Sequence, residues 1–273
     1  MVALLTKWLS CWLGLLLLTL GIPTACGLFV YLCATVFRKL IGRGAGTVFD
    51  VTAILGTPVH ELGHAAMCLL FGHKIVRMKL WSPRAKDGLY GFVEHSYHRK
   101  NLWARMGNLF IGMGPLFSGL GVVVLALWLC FPTVWDAYLA TTGAVLSTEA
   151  GWGELLRCVP ILPRDLLRHF AVDPLRSIFG AAVILSVALH ISMSWQDLKG
   201  ALRALPVYLA LLAILAAVLL AFGVEGIALA GLRLWNLRLL SLFSVAAVSS
   251  LLWVLIGAVA RLLCEIFGAA LKK

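Results

Sequence analysis

His60-Glu61-Leu62-Gly63-His64 sets two imidazoles and a carboxylate in the order H-E-x-x-H within an apolar stretch. On a helix, positions i and i+4 share a face. Both rings can therefore address one cation while Glu61 stands beside them, able to take a proton from water. The ion that suits such a pair is Zn²⁺, one per chain. The competing reading is a set of polar side chains satisfied by hydrogen bonds inside a helix bundle. Three ionisable groups within five residues are costly to sink in hydrocarbon, and a metal with its water uses all of them. The metal reading is therefore preferred, with His60 and His64 as ligands and Glu61 as catalytic base.

Catalytic zinc commonly takes three protein ligands and keeps a fourth position for water. Asp197 is the first choice for the third ligand and His190 the second. They stand seven residues apart, two turns of a continuous helix, and would share a face. If Asp197 binds, His190 is left to orient substrate or a ligand. Asp197 ends an apolar run that would cross in the same direction as the run bearing the histidines, which would place the metal groups at similar depth. His95 is a further candidate, although His95, Glu94 and His98 read more simply as exposed loop residues.

The elements that must carry these groups are apolar. With 62% hydrophobic and 13% charged residues, and a mean hydropathy of +0.97 over 273 residues, the chain has too little polar surface for a soluble globule and belongs in a lipid bilayer. The net charge of +11 sits in short clusters between apolar runs, where it orients the chain against an anionic membrane surface. Nucleic acid is not expected as a partner. The seven cysteines are scattered without a C-x-x-C pair and read as small packing residues. The apolar run from Trp8 to Phe37 exceeds a signal-peptide core and reads as a retained anchor.

Six runs have spanning length: about 9–37, 48–71, 107–131, 177–197, 206–223 and 239–264. The expected fold is thus an all-α polytopic membrane protein of about six transmembrane helices. In the loop after the second, alternation over 75–81, an Asp87-Gly88 turn and the segment 89–93 predict a small β-hairpin. The connection 132–176 is rich in Trp, Pro and Arg, so part of it is expected in the interface plane; the connection 224–238 is short. Lys and Arg counts modestly favour a cytoplasmic 72–105 segment, placing the site nearer that side. The expected organisation is an N-terminal helix and connection (1–47), a catalytic core of three helices (48–200) and two C-terminal helices (201–273). A compact chain of this kind suits a bacterial plasma membrane.

The third run opens with dense small residues, Gly107 to Gly119, which permit close helix approach. Pro115 within it frees a backbone carbonyl that needs another partner. Helix packing accounts for this segment at least as well as a direct role, although Asn108 could hydrogen-bond substrate near the site.

Taken together, the pattern resembles the site-2 protease family of intramembrane zinc metalloproteases. The family carries H-E-x-x-H on one core helix, a G-P-centred segment on the next and an aspartate ligand on a third, usually in a D-G motif. Here these are similar to His60 through His64, to Gly114, Pro115 and Ser118, and to Asp197. Asp197 is followed by Leu198, with the glycine delayed to Gly200. The likeness covers about residues 48–200 and implies cleavage of peptide bonds in or near transmembrane segments of membrane-protein substrates, with the Gly114–Ser118 segment supporting the site. Two other readings compete. One is a non-catalytic zinc-binding scaffold or transporter. The other is a prenyl-protein-type protease, which would need a glutamate ligand; Glu149, Glu154 and Glu225 are less suitably placed than Asp197.

Overall fold

The computed structural model describes all residues except 1, 84–89, 147–152, 154–156, 158 and 271–273. The expected Asp87-Gly88 turn, Glu149, Glu154 and Cys158 lie outside the described residues. Nine α-helices and one two-stranded sheet follow in chain order among those described. They are α1 (Val2–Leu16), α2 (Ile22–Ile41), α3 (Ala45–Leu70), β1 (Lys74–Lys79), β2 (Phe92–Ser96), α4 (Leu102–Cys130), α5 (Pro132–Leu146), α6 (Ile161–His169), α7 (Pro174–Ala188), α8 (Trp195–Ala221) and α9 (Glu225–Ala270). The fold is helical with a small antiparallel hairpin.

Among the described residues, four helices rather than six are long and apolar enough to cross a membrane: Val2–Ile41, Leu102–Cys130, Trp195–Ala221 and Glu225–Ile266. The runs 48–71 and 177–197 fall short for different reasons. At 26 residues, α3 has the length, roughly 39 Å, but Asp50, His60, Glu61 and His64 interrupt its apolar character. The second run is divided, because α7 has only 15 residues, about 22 Å against a hydrocarbon core of about 30 Å. The segment 224–238, expected as a connection, is instead largely the start of α9. A tight turn suffices there: Val224 N–H bonds Leu219 O at 3.0 Å and Gly223 takes φ +65, the left-handed cap that glycine adopts without strain.

The expected domain limits at 47/48 and 200/201 fall inside α3 and α8, and the helices share packing across them. One cluster joins Val30 of α2, Leu116 and Leu120 of α4, Val187 of α7, Ile191, and Phe243 and Ala246 of α9. A second joins Cys11 and Leu15 of α1 to Leu109 of α4 and Ala204, Tyr208 and Leu212 of α8. Trp8 and Trp12 of α1 donate their indole N–H groups to Ala213 O and Leu209 O at 3.0 and 3.1 Å. A π-helical turn, Leu17–Gly21, links α1 to α2. Within it Leu18 O accepts from the buried Asn236 of α9 at 2.8 Å, a side-chain partner for a carbonyl in an irregular stretch. The 132–176 connection supplies α5 and the short α6, which buries Leu162, Leu166 and His169 and leaves Arg164 and Arg168 outside.

The hairpin pairs Lys74 with Ser96, Ile75 with His95, Arg77 with Glu94 and Lys79 with Phe92, with an irregularity between Ile75 and Arg77. Its second strand begins three residues later than the sequence predicts, so Glu94 and His95 belong to β2 rather than to a loop. His98 is exposed beyond it. Arg77 grips Glu94 through two bonds of 2.8 and 2.7 Å, fixing the register on the solvent face.

Candidate metal centre

His60 and His64 lie one turn apart in α3, and each is held by a carbonyl that a helix interruption has released. The missing N–H of Pro115 leaves Ile111 O of α4 without its i+4 donor, and His64 Nδ1–H donates to that oxygen at 2.7 Å. His60 Nδ1–H donates to His190 O at 2.7 Å, in the non-helical stretch between α7 and α8. Because a carbonyl only accepts, both Nδ1 atoms carry the proton and both Nε2 atoms present lone pairs. Those Nε2 atoms lie 3.1 Å apart, and Asp197 Oδ1 lies 3.4 Å from His64 Nε2. Three ligand atoms, one each from His60, His64 and Asp197, thus lie within 4.8 Å of one another.

Asp197 reaches this point from an unexpected position. It belongs to the first turn of α8, not to the end of the preceding helix, so the expected same-direction crossing and the expected two-turn spacing from His190 both fail. The cause is local. Ser194 caps α8: its Oγ accepts from Asp197 N–H at 3.2 Å, while Asp197 Oδ2 accepts from Ser194 N–H at 2.7 Å, a reciprocal capping box. This occupies one carboxylate oxygen and leaves the other facing His64. The S-x-x-D spelling of Ser194 to Asp197 was the sequence signal that could have revealed this helix start.

Close backbone approach brings the three elements together. A Cβ on Gly63 would lie 2.5 Å from Gly114 O and from Ser118 Oγ, and a Cβ on Gly114 would lie 2.5 Å from Gly63 O. A Cβ on Gly112 would lie 2.8 Å from Asp197 O. The small residues of α4 therefore pack helices, as small residues do where backbones cross. Gly114 and Ser118 lie against Gly63, and Pro115 leaves Ile111 O free for His64; Ser118 Oγ itself donates to Pro115 O at 3.2 Å. Asn108 donates to Arg105 O within its own helix at 3.2 Å. The His190 ring does not join the cluster: its Nε2 pairs with Thr52 Oγ1 at 3.0 Å and the ring meets Phe49 edge-on. Its backbone carbonyl, not its side chain, serves His60.

Glu61 is 6% exposed and lines, with His60 and Thr57, a cavity of about 580 Å³ that also reaches Arg38, Tyr90 and Trp195. Thr57 Oγ1 is buried without a hydrogen-bond partner, a polar atom left available in the cavity wall one turn before Glu61. Gly91 covers the carboxylate closely, since a Cβ there would lie 2.7 Å from Glu61 Cγ. The neighbouring Tyr90 is tied to Asp50 of α3; burial, and then that hydrogen bond, raise its hydroxyl to about 12, so it remains a donor.

His95 lies in a different cluster, against His73 and Cys68. His73 was not singled out from the sequence, and Cys68 was read as packing. Comparison with family models, with curated proteins and with solved structures finds no match to this chain.

Proposed function

We propose that the chain is an intramembrane zinc metalloprotease that hydrolyses peptide bonds in or near transmembrane segments of other membrane proteins. The observation carrying this reading is the pair of Nε2 lone pairs, each fixed by a backbone carbonyl, converging with a carboxylate oxygen beside the buried Glu61. Two imidazoles with outer carbonyl partners and one carboxylate are a donor set that suits Zn²⁺ and leaves a position open. His60, His64 and Asp197 would hold the ion, which when bound supplies Lewis acidity toward a carbonyl and makes water a better nucleophile.

Glu61 acts as the base. Its carboxylate takes the proton from the attacking water and returns it to the departing amine nitrogen. Gly91 packs against Glu61 from the hairpin side, so the carboxylate is approached from the cavity. A substrate helix hides its carbonyls in its own hydrogen bonds and must unwind locally. The hairpin, whose second strand begins next to the cavity wall at Tyr90 and Gly91, offers an edge onto which an extended segment could add. The basic 72–105 segment favours a cytoplasmic placement of this side of the protein.

The test is to express the full chain with a membrane-spanning reporter substrate, purify it in detergent, and measure cleavage and metal content together. Wild type should cleave and carry zinc at His60, His64 and Asp197. Glu61→Gln should keep that zinc and lose cleavage by about 10³-fold, within the range general bases contribute. Cleavage that survives Glu61→Gln would remove the assigned base. Zinc binding with no cleavage of any membrane substrate would favour a storage or transport role.

A further inference from the structure

We propose that Cys68, His73 and His95 form a second metal site, one helical turn beyond the first, which takes a zinc ion and staples the hairpin to α3 and α4. The three side chains offer ligand atoms that lie within 4.8 Å of one another. Cys68 and His73 are buried, at 0% and 4% exposure, and His95 is half-buried.

The end of α3 brings the first two together. Gly72 takes φ +69, Gly72 N–H bonds Leu69 O at 3.2 Å and His73 N–H bonds Cys68 O at 2.8 Å. This is the paired-bond helix terminus in which the residue after the left-handed glycine folds back over the last turn. Such a terminus commonly closes on an apolar contact between those two positions; here the pair is a thiol and an imidazole.

The donor geometry then repeats the logic of the first cluster. His73 Nε2–H donates to Ala104 O of α4 at 2.7 Å, which fixes the tautomer and leaves Nδ1 as a lone pair. That Nδ1 faces His95 Nδ1 at 2.9 Å; two zinc-bound imidazoles at tetrahedral angles would stand about 3.3 Å apart. Stacking on Tyr97, with ring centroids 4.6 Å apart, holds the His73 plane. A proton shared between the two Nδ1 atoms would account for their separation alone, but not for a buried thiol delivered to the same point. A sulfur and two imidazoles suit zinc, with water or another small donor completing four-coordination. Binding releases the Cys68 proton to solvent.

The two clusters can be told apart by spectroscopy because only the second contains sulfur. The full-length chain in detergent is stripped with a chelator and titrated with Co²⁺, the visible and near-ultraviolet absorption being recorded. Wild type should take two equivalents and develop a thiolate-to-cobalt charge-transfer band. Cys68→Ser should lose that band and one equivalent. The double variant His60→Ala/His64→Ala should keep the band and lose the other equivalent, so a failure of the proposed protease site leaves this result intact. A wild-type titration that stops at one equivalent without the band, or a band that persists in Cys68→Ser, would overturn the second site.

Discussion

Two clusters of ligand-type side chains stand one turn apart on α3, and they are assembled in contrasting ways. At His60 and His64 the helix supplies only the spacing. The orientation of each ring comes from carbonyls of other elements, Ile111 O of α4 and His190 O of the α7–α8 break, and the carboxylate comes from the first turn of α8. At Cys68 and His73 the helix end itself makes the juxtaposition, through the reversal at Gly72; among the three ligand-type residues only His95 arrives from outside, and α4 contributes one orienting carbonyl, Ala104 O, to His73. The first cluster thus depends on three helices holding station; the second depends mainly on one helix terminus and the hairpin beside it. Disturbing interhelical packing should therefore part the ligand-type groups of the first cluster, whereas in the second it frees the His73 ring from Ala104 O without separating His73 from Cys68.

The largest effect is expected at Gly114, whose missing side chain lets α4 touch Gly63. Gly114→Val would drive α4 off α3, carrying Ile111 O away from His64. We expect loss of cleavage below detection and a destabilisation of about 3 kcal/mol, the upper range for overpacking. Cleavage and thermal denaturation in detergent check this, and near-normal cleavage would break the dependence of the site on that crossing. Asp197→Asn keeps a side chain able to cap α8 but removes the negative charge proposed to hold the ion. Zinc affinity should fall on the order of 10³-fold, beyond the ~10–100-fold typical of outer partners, with little change in melting temperature; competitive chelation measures the first and a thermal scan the second.

Pro115→Ala is a smaller and sharper probe. It returns an N–H that competes with His64 for Ile111 O, and zinc affinity should drop about 10-fold, as for other outer-partner changes, while helix stability rises or stays level. An unchanged affinity would mean that the carbonyl released by proline does not orient the ring. Smallest is Ser194→Ala, which removes one half of the capping box. A cost of about 1 kcal/mol is expected, with a few-fold loss of zinc affinity as Asp197 gains freedom. A loss of stability with zinc affinity intact would show that the cap serves α8 alone.

Much of the first cluster was legible in the chain. The i, i+4 rule requires His60 and His64 to share a face in any helix, and Asp197 stood out as an acidic group at the edge of an apolar run. Pro115 announced an unpaired carbonyl, but not which side chain would take it. The membrane character followed from composition, whereas the count of spans did not. Length and apolarity were read as one property, although α3 has the first without the second and α7 the second without the first. The hairpin was visible from alternation in its first strand, and its second strand was misplaced by three residues because pairing, not local pattern, sets register.

What the amino-acid order determined by itself is local: which side chains share a helix face, where a proline or a capping serine interrupts or starts a helix, and that the chain prefers lipid. Which carbonyl meets which imidazole, that the His190 backbone rather than its ring serves the site, and that His95 joins His73 and Cys68 were decided only in three dimensions. The physical reason is that helical periodicity acts over a few residues. By contrast, the contacts that fix the two rings join groups 47 and 130 residues apart in sequence, through backbone crossings that permit only the smallest side chains.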